Sequence, residues 1–130
     1  MTDEITDNVA RLVRETLALP DSAPIAPEKL LFYDLNFTSM DMLDLLFRLE
    51  QYFQISIPDG TIYALARGGL SDGDFAQDGI LTANGRQQLM DLLHDSPPQI
   101  FPERIHVATL PRYCTVASIT RLVQKRLGRV

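Results

Sequence analysis

The chain has 130 residues, 45% of them hydrophobic, which suits one small globular domain with a single core. Twelve Lys and Arg against seventeen Asp and Glu leave a net charge of −5, which argues against nucleic acid, whose phosphates need a basic face. No apolar run approaches the roughly 20 residues of a membrane helix, and residues 1–20 lack the basic start and apolar middle of a secretion signal, so a cytoplasmic protein without a membrane span is expected.

The acidity is uneven. Residues 1–60 hold eleven acids against four bases, and residues 61–130 hold six against eight. An acidic first half suits docking on basic protein patches, or is simply a solvated face. A lone cysteine, Cys114, with His94 and His106, offers too few soft ligands for structural zinc, and Cys114 reads as a small semi-buried residue.

Along the chain, Ile5, Val9, Leu12, Val13 and Leu17 recur at helical spacing from Asp3 to about Leu19, with Asp3, Glu4 and Asp7 in the first turn and Pro20 as the stop. Residues 20–37 hold three prolines and no sustained period, and read as a long loop lying across the core on Ile25, Leu30, Leu31, Phe32, Leu35 and Phe37. Asn36 suits a left-handed turn. The second helix is expected from about Ser39 to Phe53, capped by Thr38 or Ser39. Its apolar residues fall into two sets. Met42, Leu45, Leu46, Leu49 and Phe53 follow the core spacing, whereas Met40, Leu43 and Phe47 form a second strip beside the polar one of Asp41, Asp44, Arg48 and Gln51. Such a helix is either unusually enclosed or keeps the second strip for a partner.

Residues 59–80 are rich in Gly and Asp, with one or two helical turns expected at Ile62–Ala66. Asp72, Asp74 and Asp78 fall short of a calcium loop because Ala83 stands at the closing ligand position, and no metal site is expected. Thr82 caps a helix from Ala83 to about His94, ended by Ser96-Pro97-Pro98, and Gln99–Pro111 reads as extended loop. Thr115 caps a closing helix on Val116, Ile119, Leu122, Val123 and Leu127. No strand ladder is evident, so the class is all-α.

Ser39 stands where the loop becomes helix. A serine nucleophile needs a base and an orienting group, and no Gly-x-Ser-x-Gly elbow surrounds Ser39. Asp41 and Asp44 share a solvated helical face, so paired-carboxylate catalysis is not favoured either. No catalytic residue is expected. Helix chemistry alone leaves Ser39 as a cap, or as an attachment point whose phosphodiester the helix N-terminus can favour.

The run Asp34-Leu35-Asn36-Phe37-Thr38-Ser39-Met40-Asp41, followed by Leu43, Asp44, Leu49-Glu50, Phe53 and Ile55-Ser56-Ile57-Pro58, resembles the acyl carrier protein signature. The first helix and Thr115–Leu127 extend that resemblance. It implies a four-helix bundle and a non-enzymatic carrier, in which Ser39 bears a 4'-phosphopantetheine arm added from coenzyme A by a phosphopantetheinyl transferase. Acyl or aminoacyl groups would ride on the arm as thioesters, supplied by a loading ligase and consumed by a downstream synthase or transferase. The resemblance places Met40, Asp41, Leu43, Asp44 and Phe47 on the face that partners read. It also implies a monomeric, stand-alone carrier domain over 1–130: the first two helices with the serine loop (1–58), an insert (59–113) and the closing helix (114–130). Thr38 and Asn36 replace an aspartate and a glycine of the signature, and the insert is longer than the family's usual loop and short helix. The competing reading is an unmodified module that keeps the carrier fold and docks through helix two.

Overall fold

The computed structural model describes residues 4–128. Helix α1 spans Glu4–Thr16 and buries Ile5, Val9, Ala10, Leu12 and Val13. Asp3 of its expected first turn lies outside the described residues. The helix stops sooner than Pro20 requires: Ala18 turns left-handed at φ 55° and the Leu19 N–H reaches back to the Arg14 carbonyl at 2.8 Å. This reversal, two residues before Pro20, satisfies a helix-end carbonyl before the proline is reached.

The loop over 20–37 lies across the core, with Leu30, Leu31 and Phe37 buried. It is stitched to the start of the closing helix, α6 (Val116–Arg126). Leu31 N–H donates to the Cys114 carbonyl at 3.1 Å, Val116 N–H to the Lys29 carbonyl at 3.0 Å, and Ala117 N–H to the Pro27 carbonyl at 2.8 Å. The hydroxyl of Thr115 accepts the next amide, that of Ser118, at 3.1 Å. The donors that every helix start leaves over are thereby matched without water.

Helix α2 runs Ser39–Phe53 and buries Met42, Leu45 and Leu49, while Leu46 and Phe53 are half-buried. Gln54 closes it at φ 55°, and the Glu50 carboxylate accepts the Ile57 N–H at 2.7 Å, fixing the turn that follows. Next come α3 (Thr61–Arg67), α4 (Asp72–Phe75), a hairpin of β1 (Ala76–Gln77) and β2 (Ile80–Leu81), and α5 (Ala83–Leu92). Helix α5 ends two residues short of the expected His94. The structure is mostly helical, as expected, and the hairpin, two residues per strand, is the only sheet among the described residues and the one feature not expected of an all-α chain. Asp78 and Gly79 both take positive φ, 52° and 80°, the conformation of a tight two-residue hairpin turn. Gly85 in α5 is required by close approach, since a Cβ there would lie 2.0 Å from the Phe75 carbonyl oxygen.

The stretch expected to be extended, Gln99–Pro111, overlaps two 3-10 helices, Pro98–Ile100 and Val107–Tyr113. Prolines 98 and 111 hold φ near the value such turns need. Helix α1 packs on α2 and α6, and α3 packs on α5 and on the second 3-10 helix. One apolar cluster runs through all of these elements, from Ile5 and Leu45 to Phe75, Leu89, Ile105, Leu110 and Val123, so residues 59–113 share one core with α1, α2 and α6. Among the described residues no helix is long and apolar enough to cross a membrane.

Candidate functional site

Two anchors bring the chain to Ser39. Asp34 accepts the Leu30 N–H at 2.8 Å and returns its own N–H to the Leu30 carbonyl at 2.8 Å. Asn36 takes the left-handed turn expected of it, at φ 58°, and lets Phe37 drop into the core, where its N–H meets the Leu31 carbonyl at 3.0 Å.

Thr38 is the N-cap of α2. Its hydroxyl accepts the Asp41 N–H at 3.2 Å and its own N–H donates to the Asp41 carboxylate at 2.9 Å. This reciprocal box decides between the two expected caps, and its Thr-x-x-Asp spacing was there to be read. Thr38 thus caps the helix without bringing a charge of its own.

Ser39 is therefore released from capping. It is exposed at the first helical position, and among the described residues its hydroxyl has no hydrogen-bond partner. Nor do the amides of Ser39 and Met40 find an acceptor. An anionic group joined to the Ser39 oxygen would meet these free donors at the positive end of a 15-residue helix. The residues present fit a phosphodiester.

Met40, Leu43 and Phe47 are 72%, 58% and 59% exposed, so the second strip of α2 faces outward. The neighbouring acids are not free. Asp41 belongs to the cap, and Asp44 pairs with Arg48 at 3.2 Å, which also reaches Glu15 of α1 at 3.4 Å. Tyr33, absent from the sequence reading of the site, is 53% exposed in the serine loop. Its ring lies 6.5 Å from that of Tyr113, itself 5.3 Å from Phe101. Both partners lie about 70 residues or more along the chain, beyond the reach of any local pattern.

The histidines are engaged elsewhere. His106 accepts the Ala108 N–H at 3.1 Å through Nδ1, and His94 Nδ1 lies 3.2 Å from Asp95. Burial pushes the Cys114 thiol up from 9.0 to about 12, against the nucleophilic thiolate form. Asp72 accepts from the Tyr63 hydroxyl and pairs with Arg67, and the Asp74 N–H donates to Ser71. These groups stabilise local turns.

Residues 7–67 match the family model described as the phosphopantetheine attachment site. The match takes in most of α1, the serine loop, α2 and α3, and stops before α4. That family attaches a 4'-phosphopantetheine group covalently, and its domains are carriers. Over those residues, just under half of the chain, the protein is similar to phosphopantetheine-carrying domains, which is consistent with an acyl carrier protein family member.

Proposed function

We propose that Ser39 is the attachment residue, and that the chain works in the cytoplasm as a single stand-alone carrier domain for an acyl or aminoacyl thioester. The observation that carries this reading is the Ser39 hydroxyl: exposed, without a hydrogen-bond partner, and relieved of capping by Thr38. The arm's terminal thiol supplies the thioester bond. The chain's own residues hold and present it.

In the transfer step the Ser39 oxygen displaces adenosine 3',5'-bisphosphate from coenzyme A, and the transferase takes the hydroxyl proton. The first-turn amides of Ser39 and Met40, which lack another acceptor among the described residues, would be available to hydrogen-bond the phosphodiester. Phe37 and the Leu30–Asp34 bonds keep the loop from yielding, so the attachment point has one position relative to α2. Met40, Leu43 and Phe47 form the surface that transferase, loading ligase and downstream synthase or transferase would cover. Asp41 and Asp44 border it, and Asp44 can exchange Arg48 for a partner's cation at little cost, because an exposed helix pair contributes only about 0.3–0.5 kcal/mol.

The exposed strip also supports a second reading, in which the chain docks through α2 without being modified. A fluorescent coenzyme A analogue with a broad-range transferase separates the two. Label on the wild type and none on Ser39→Ala supports the carrier. A wild type left unlabelled by several transferases supports the module.

A further inference from the structure

A cleft opens between α3, α5 and α6, on a wall that the carrier reading does not use. Ile62 and Leu65 of α3, Leu92 and Leu93 at the end of α5, and Ile119 and Leu122 of α6 form its apolar lining. Its free space is about 80 Å³, room for about six water-sized groups. The Ser118 hydroxyl in the wall is already spent, donating to the Thr115 carbonyl at 2.9 Å, so the interior has no polar demand of its own.

Two cations complete the lining, and they differ. Arg121 pairs with Asp95 and donates to the Leu92 carbonyl at 3.1 Å, fastening the end of α5 to α6. Its charge is balanced. Lys125 lies one turn further along α6, is exposed, and makes no ion pair among the described residues. An apolar slot of limited volume beside one uncompensated ammonium matches a molecule with a short alkyl chain and one anionic end.

We propose that this cleft binds a short straight-chain carboxylate of about six carbons, with its chain against Leu65 and Leu92 and its carboxylate paired with Lys125. Helix α5 lies outside the matched carrier segment and supplies a third of the apolar lining, so the site gives that added helix a role. The inference does not rest on modification at Ser39.

The test is an amide NMR titration of the unmodified Ser39→Ala chain with butyrate, hexanoate, decanoate, hexanol and hexylamine. Ser39→Ala keeps the result separate from the carrier reading. Hexanoate should shift amides of α3, of the end of α5 and of α6 around Leu122. Each methylene from butyrate to hexanoate should tighten binding about fourfold, and decanoate should gain nothing further because the slot is full. Hexanol should bind more weakly, and hexylamine weakest of all. Lys125→Ala, at an exposed position that leaves the fold intact, should remove the preference for hexanoate over hexanol. Shifts confined to other regions, equal binding of hexanol and hexanoate, or affinity that keeps rising through decanoate would each overturn the proposal.

Discussion

The capping box at the start of α2 makes a quantitative prediction that separates Thr38 from Ser39, two adjacent hydroxyl residues. Thr38→Ala removes the acceptor of the Asp41 N–H, a 3.2 Å bond, and leaves the reciprocal 2.9 Å bond from the residue-38 N–H to the Asp41 carboxylate without its counterpart. Losing a threonine N-cap costs about 1 kcal/mol, or about a fivefold shift in the folding equilibrium. Ser39→Ala removes a hydroxyl with no partner at an exposed first-turn position, and should change stability by less than about 0.5 kcal/mol. Thr38→Asp keeps a capping oxygen and adds negative charge at the helix start, worth about 0.3–1 kcal/mol before repulsion from Asp41 is subtracted, so it should stay close to wild type. Urea unfolding followed by circular dichroism, with the slopes checked for equality, reads all three differences. A Ser39→Ala loss equal to or larger than that of Thr38→Ala would refute the assignment of the cap to Thr38, and with it the argument that Ser39 is free for modification.

Other perturbations probe the remaining parts of the structure. Gly85→Ala places a Cβ 2.0 Å from the Phe75 carbonyl oxygen. It should cost about 2 kcal/mol of overpacking and lower the melting temperature by several degrees, whereas Gly73→Ala, where nothing lies within 4 Å, should not share this penalty. Met40→Glu, Leu43→Glu and Phe47→Glu sit on the exposed strip and should slow transfer of the arm while changing stability by no more than about 0.5 kcal/mol; unchanged transfer rates would remove the strip from the docking surface. Asp44→Lys should slow transfer and weaken its salt dependence. Asp41→Lys should do so too, but at a cost in helix stability because Asp41 is half of the capping box. Cys114, raised from 9.0 to about 12, is protonated in the folded state where the unfolded thiol ionises. Its contribution is therefore fully present below pH 9 and lost as pH rises toward 12, at no more than about 1.4 kcal/mol per pH unit. Cys114→Ala should flatten that part of the stability profile.

The elements that can be read from the chain are those whose cause is local. Helices α1, α2, α5 and α6 follow from spacing of apolar residues, and Thr82 and Thr115 cap the helices they were expected to cap. The outward strip of Met40, Leu43 and Phe47 follows from the same spacing. Where the outcome differs, another interaction decides it. Helix α1 ends at a left-handed Ala18 before Pro20 matters, and α5 ends at Leu92, close to where Arg121 of α6 takes the Leu92 carbonyl. The Asp78-Gly79 turn carried a recognisable signal, but its strands are two residues each, too short for any alternation to show. In the candidate site, Ser39 and its strip were legible, as was the Asp44–Arg48 pair at i,i+4 spacing. The link from Arg48 to Glu15 and the ring contact of Tyr33 with Tyr113 depend on how distant segments come together, and no local period encodes them.

Ser39 is the proposed point where the arm is joined. Incubation with coenzyme A and a phosphopantetheinyl transferase, followed by intact-mass measurement and fragment mapping, tests this directly. A gain of one phosphopantetheine is expected, located on the peptide containing Thr38-Ser39-Met40 and absent from Ser39→Ala. A gain that persists in Ser39→Ala, or that maps to Thr38 or to any other hydroxyl, would contradict it.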